Sequence, residues 1–118
     1  MDLPKIGQGV GSQWDDNHVS ILKYGIDLGL CLIDTAESYG HGESEQMVAS
    51  VIRGIRNQVI ISSKFSAAHS RFSDVIDSAN NSLKRLMTDY MDIYFMHWPS
   101  CKVPIEETML AMSKLKKD

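Results

Sequence analysis

The 118-residue chain contains no stretch that approaches the roughly 20 apolar residues a membrane span needs. It has no surplus of basic charge either: 12 Lys/Arg stand against 15 Asp/Glu, a net charge of −3. A surface that displaces counterions from nucleic-acid phosphates requires a Lys/Arg stripe, and none is present. Only two cysteines occur, Cys31 and Cys101, with no CxxC spacing, which excludes a disulfide framework and a zinc knuckle. The opening MDLPKIGQG lacks the charged-then-apolar layout of a signal peptide. A cytoplasmic protein without nucleic-acid or membrane partners is expected. No repeat, low-complexity segment or Pro/Gly-rich linker divides the chain, and 43% hydrophobic residues over this length supply one core rather than two.

Four short apolar runs stand out: KIGQGVG (5–11), CLIDTA (31–36), VIISSKF (59–65) and MDIYFMHW (91–98). Segments with helical spacing separate them. Val19, Leu22 and Ile26 form one stripe, after capping candidates Asp15, Asp16 and Asn17 and before Gly29. Met47, Val48, Val51, Ile52 and Ile55 form a second. Ile76, Ala79, Leu83 and Leu86 form a third, with Ser73 as its expected N-cap. A fourth helix is expected from Pro104, with Glu106 and Glu107 in its first turn and Lys114, Lys116 and Lys117 in its last, complementing the helix dipole. The order is β-α-β-α-β-α-β-α, which argues for parallel strands joined by crossover helices.

The last three runs each end in an ionisable residue that an apolar strand has little reason to carry: Asp34, Lys64 and His97. Side chains alternate faces along a strand. If Asp34 points inward, so does Leu32; Lys64 then goes with Ser62 and Ile60, and His97 with Phe95 and Ile93. Ile33, Ile61, Tyr94 and Met96 take the opposite face, toward the helices. Three ionisable groups thus converge at the C-terminal ends of neighbouring parallel strands, the edge where βα folds place their chemistry.

Tyr39 lies in a glycine-bounded loop just past Asp34. A phenol, with a pKa of about 10, is a poor acid at neutral pH unless a neighbouring cation favours its ionised form. Lys64 can be that cation, Asp34 can orient it, and His97 adds a donor toward a substrate oxygen. The set suits protonation of an oxygen that gains negative charge, as a carbonyl oxygen does during hydride reduction. Hydride itself requires a cofactor.

GLCLIDTAESYGHGESEQMV, IISSKF and DIYFMHWP together resemble the aldo/keto reductases, whose (β/α)8 barrels reduce carbonyls with NAD(P)H. By motif, the family's catalytic tetrad falls on Asp34, Tyr39, Lys64 and His97. The resemblance implies that Tyr39 donates the proton, Lys64 assists its loss, His97 orients the carbonyl, and Asp34 fixes Lys64 and touches NADP(H). It also implies that Gly9, Val10 and Gly11 approach the nicotinamide and that Trp98 lies beside a small carbonyl substrate. The fold implied is a parallel α/β half of a TIM barrel, (βα)4, filling residues 1–118 as one partial domain. A whole barrel takes about 250 residues. The expectation is therefore a truncated reductase, poorly able to hold its cofactor alone, that self-associates or meets a complementary half-barrel. A non-catalytic remnant serving as an assembly module, and a flavodoxin-like binding domain, are the competing readings. GQGVG lacks the full GxGxxG of a phosphate loop, which weighs against the latter.

Smaller features read more plainly. His41 and Glu43 have no further metal-ligand spacing, so no metal site is expected. His18 and His69 belong on surface segments. Met87, Met91, Met96, Met109 and Met112 read as adaptable core filler.

Overall fold

The computed structural model describes residues 15–118, so the first apolar run, with Gly9, Val10 and Gly11, lies outside the described residues. Within them the order is α1 (Asp16–Asp27), β1 (Leu32–Asp34), α2 (Glu43–Ile52), β2 (Ile60–Phe65), α3 (Phe72–Leu86), β3 (Ile93–Met96) and α4 (Ile105–Lys117). The strands form a parallel sheet in the order β1-β2-β3. Leu32, Ile33 and Asp34 pair with Ile60, Ile61 and Ser62; Ser62 to Phe65 pair with Ile93 to Met96.

Local chemistry explains most of the boundaries. Asp15 caps α1 by accepting the N–H groups of Asn17 and His18 at 3.0 and 3.2 Å. The α2 helix stops at Ile52 because Arg53 leaves helical geometry and Gly54 turns with φ 81°. Ile55 therefore lies outside the helix that its stripe predicts, although it still packs on the core. Ser73 is not the cap of α3, which begins one residue earlier, at Phe72. The free Phe72 N–H donates instead to Glu107 of α4 at 3.3 Å, so a neighbouring helix supplies the acceptor. Pro104 precedes α4 as its N-cap residue.

The alternation expected from sequence is present. Ile33, Ile61 and Phe65 are buried on the helix-facing side, where Ile33 and Ile61 meet Met47, Val48, Val51 and Leu86. Phe65 leads a second cluster with Val75 and Ala111, against which Tyr94 and Met96 pack. The core is thus the layer between sheet and helices. On the opposite face Ile60, Ile93 and Phe95 are 41%, 38% and 50% exposed. Met87 departs from its reading as core filler and is 84% exposed. It ends α3 in the left-handed region, φ 53°, which points its side chain away from the packed layer. Met109 is likewise exposed.

At the N-terminal edge of the sheet, Asp92 accepts the Ile61 N–H and an Arg56 N–H, both at 2.8 Å. Arg56 also donates to the carbonyls of Val59 and Tyr90. The clasp satisfies backbone groups where the strands begin, leaving the C-terminal edge to the ionisable groups. Among the described residues no helix is long and apolar enough to cross a membrane.

Because Ile61 is fully buried while its neighbour Ile60 is 41% exposed, Ile61→Val should cost about 0.5–1.5 kcal/mol. Ile60→Val on the open face should stay within about 0.5 kcal/mol of the parent. Urea unfolding of both variants checks this, and equal losses would place the core on the wrong side of the sheet.

Candidate active site

Asp34 is the last residue of β1, Lys64 the penultimate residue of β2, and His97 the residue immediately after β3. His97 is beyond the strand proper, yet its N–H donates to Phe65 O at 3.0 Å and keeps it in register with the sheet. The chain leaving β1 is held to the rim in the same way. Thr35 N–H donates to Ser62 O at 2.9 Å and Glu37 N–H to Lys64 O at 3.1 Å. It then enters a tight turn, Tyr39–Gly42, in which Gly40, His41 and Gly42 have φ of 57°, 52° and 93°. Three successive left-handed residues are tolerable because two are glycine. The turn swings Tyr39 back over the strand ends.

The four groups meet. Lys64 Nζ donates to both oxygens of Asp34 at 2.9 Å and to Thr35 O at 2.8 Å, so all three ammonium protons have acceptors. The Lys64 and Asp34 side chains retain only 15% and 22% exposure. Lys64 Nζ lies 5.2 Å from the centroid of the Tyr39 ring. The Tyr39 and His97 rings meet edge to face with centroids 5.7 Å apart. Trp98 stacks nearly parallel to His97, also at 5.7 Å, and is largely exposed. Asp34, Tyr39, Lys64, His97 and Trp98 are thus brought together, while Gly9, Val10 and Gly11 lie outside the described residues. Among the described residues no group of three or more His, Cys, Asp or Glu is arranged to hold a metal ion.

Two neighbours were not singled out from sequence. Ser38 Oγ lies 3.5 Å from His97 Nδ1. Glu37 accepts the Ser66 N–H at 2.7 Å and pairs with His69 Nδ1 at 2.6 Å, tying the loop after β1 to the loop after β2. His69 does sit on the surface as expected, but it has this partner. Burial pushes the Glu37 carboxyl up, while the Ser66 N–H and His69 outweigh it and hold the group below the usual carboxylate value. The one sequence signal for Glu37 was its place between Asp34 and Tyr39.

His97 is held below the ordinary imidazole value, first by burial and then by the Lys64 cation, with Asp34 and Glu37 opposing. Neutral imidazole is the form that predominates at pH 7, with a single ring N–H to donate. Since folding lowers this pKa, the unfolded chain binds the proton more tightly. The His97 contribution to stability is whole above about pH 6.5 and is lost as pH falls toward the folded value. An NMR titration should give a His97 midpoint below that of a free imidazole. Lys64→Met should move it upward, because it removes the cation and unmasks Asp34; a midpoint that stays put would contradict the electrostatic account.

The Aldo/keto reductase family model matches residues 5–118. Methylglyoxal reductase YeaE of Escherichia coli is 40% identical over 98% of this chain and 42% of its own length. Aldo-keto reductase YhdN of Bacillus subtilis is 36% identical over 98% of this chain and 40% of its own. A crystal structure of an aldo-keto reductase from Klebsiella pneumoniae in complex with NADPH superposes with a TM-score of 0.82 at 39% identity, covering 92% of this chain and 40% of that one. The chain therefore spans about two-fifths of the length of the relatives it matches, and its three parallel strands with their covering helices are a section of a TIM barrel. A match that begins at residue 5 and runs to the last residue, on a fold that agrees with it, makes the chain a member of the aldo/keto reductase family.

Proposed function

We propose that residues 1–118 form one partial domain carrying the proton-transfer half of a carbonyl reductase site, and that a completed barrel reduces a small aldehyde or ketone with NADPH. The observation that carries this reading is the Lys64 ammonium, saturated by Asp34 and Thr35 and lying against the Tyr39 ring beside His97. A phenol, an ammonium and an imidazole in one cluster fit a reaction in which a carbonyl oxygen becomes a hydroxyl. The names of relatives such as methylglyoxal reductase make a small dicarbonyl a reasonable substrate class. Cys31 and Cys101 are free and exposed thiols, which suits a reducing cytoplasm.

The donor set fits a nicotinamide cofactor, because every group needed to protonate an oxygen is present and a hydride source is what they lack. When bound, NADPH supplies the hydride; Asp34 and the segment Gly9, Val10 and Gly11 would hold its nicotinamide end. The residues of this chain do the rest. His97 donates its one N–H to the carbonyl oxygen and fixes its direction, with Trp98 flanking the substrate. As negative charge gathers on that oxygen, the Tyr39 hydroxyl gives up its proton to it. Lys64 stabilises the charge left on the phenol oxygen, and Asp34 keeps Lys64 oriented.

In the chain joined to the complementary half-barrel of a matching relative, Tyr39→Phe should lower kcat by about 100-fold or more, the scale of a lost general acid. NADPH affinity should stay near the parent value, since only a hydroxyl is removed. NADPH oxidation followed by absorbance checks the first and fluorescence quenching the second. Retained activity would remove Tyr39 from the role of acid.

A second reading is favoured by a separate observation. Ile60, Ile93 and Phe95 are exposed on the sheet face opposite the helices, as are Ile21, Tyr24 and Leu28 along α1. Leaving such side chains in water forgoes about 1.5–3 kcal/mol each. The chain on its own acts as an assembly module under this reading, pairing with a complementary half-barrel or with a second copy. Purified alone, it should self-associate: light scattering after size exclusion should give a mass above 13.2 kDa, with a melting temperature that rises with concentration. A monodisperse monomer with a concentration-independent melt would rule out pairing with a second copy.

A further inference from the structure

A second polar cluster lies behind the strand ends that carry Asp34 and Lys64, and it shares with the site described above only Thr35, whose carbonyl faces Lys64 while its hydroxyl faces the helices. Thr35 follows Asp34 and Ser63 precedes Lys64, so alternation turns both toward the helices. Both are fully buried there, and each has a partner on the first turn of α2. Thr35 Oγ1 and Ser44 Oγ are 2.8 Å apart, and Ser63 Oγ donates to Glu45 Oε1 at 2.6 Å. The other Glu45 oxygen accepts from Arg85 Nε at 2.6 Å, and Arg85 Nη2 donates to Ser82 Oγ at 3.3 Å. The Glu45 side chain has no exposure, while that of Arg85 keeps 26%.

A carboxylate removed from water is costly unless a charge and hydrogen bonds compensate for it. Apolar residues at positions 45 and 85 would hold α2 and α3 together more simply. What they would not supply is direction. Arg85 passes beneath Gly42, where a Cβ would lie 2.7 Å from Arg85 Cδ and 2.9 Å from its Nε. Gly42 closes the turn that opens at Tyr39. The network therefore touches the far end of the Tyr39 turn, the start of α2 and the strand residue next to Lys64.

We propose that Glu45 and Arg85 are positioning residues, whose buried ion pair sets the turn carrying Tyr39 at its place against Lys64 and His97. Glu45 anchors the end of that turn to β2 through Ser63. Arg85 fills the space beneath Gly42 and fixes how far the turn can settle toward α3. Neither residue touches the reacting groups. The functional weight of this placement rests on reading Tyr39 as the proton donor, but the placement itself can be measured without activity.

The measurement uses the whole chain and the NMR signals of the His97 ring, which the Tyr39 ring current displaces through their edge-to-face contact. The size of that displacement is the difference between the parent and Tyr39→Leu. Arg85→Met should abolish most of it. Because a lone buried carboxylate can also unfold the chain, and Ser63 Oγ would lose its acceptor with it, the Glu45→Met/Arg85→Met double variant in a Ser63→Ala background is the second chain, removing both charges and that hydroxyl together. It should melt as the parent does and still lose most of the displacement. A pair that is only structural predicts that the double variant recovers the parent's melt and the parent's His97 signals together; that result overturns the proposal. Unchanged His97 signals in a folded Arg85→Met chain overturn it as well. Activity retained by Tyr39→Phe in a completed barrel would instead remove the acid assignment and leave the measured positioning intact.

Discussion

The site depends first on a cation at the rim of a parallel sheet being given three acceptors in place of water. Lys64 achieves this only because β1 and β2 run parallel, with Asp34 opposite Ser62, so that the lysine two residues further along can reach back across the rim. Both Asp34 oxygens and the Thr35 carbonyl then surround the ammonium. An antiparallel pairing would put the carboxylate and the ammonium at opposite ends of the sheet. The crossover helix α2 that makes the strands parallel is therefore as much a condition of the site as the charged residues are. Once Lys64 is fixed, its charge reaches two further groups: the Tyr39 ring it lies against and the His97 imidazole it helps keep neutral.

Alternation along the strands divides the polar residues near the rim into two sets with different tasks. Asp34 and Lys64 point toward the open face and meet Tyr39. Their neighbours Thr35 and Ser63 point the other way and hydrogen-bond α2 from beneath. One pair of adjacent positions on each strand thus supplies a reacting group and a mooring for the helix that follows the Tyr39 turn. The turn is held at its start by Thr35 and Glu37 backbone bonds to β2, and at its end by Glu45 and Arg85.

What could be read from sequence followed from short-range rules. A period of two put Ile33 and Ile61 in the core and left Ile60 and Phe95 on the other face. The same period aligned Asp34 and Lys64, and motif spacing added Tyr39 and His97. The features that escaped depend on residues far apart in the chain. The cap of α3 comes from Glu107, 35 residues away, whereas the local sequence offers Ser73. Glu37 and His69 are 32 residues apart, and Glu45 and Arg85 40 apart. Nothing in either local sequence distinguishes these pairs from solvated charges. Met87 misled for another reason: its position extends an apolar stripe, but the helix ends there with a change of backbone hand.

The division between what this stretch of the family holds and what it leaves to other strands follows from distance. Adjacent parallel strands lie about 4.8 Å apart, the scale on which a phenol, an ammonium, a carboxylate and an imidazole must act on one another. Three neighbouring strand ends therefore suffice to assemble these groups, and the contacts of 2.9 to 5.7 Å among them are made by residues at or just past the ends of β1, β2 and β3 and in one turn. A dinucleotide is several times longer than that spacing. Its phosphates and adenosine need anchors spread along the rim, and helix N-termini or basic side chains are the usual ones. Among the described residues Lys64 is the one Lys or Arg in the cluster around Tyr39, and it has its protons committed to Asp34 and Thr35. Under the proposed function, proton transfer is a local property of the strand ends, whereas cofactor retention is a property of the whole ring of strands. The tetrad geometry can thus be intact in a section of the barrel whose open face leaves Ile60, Ile93 and Phe95 in water.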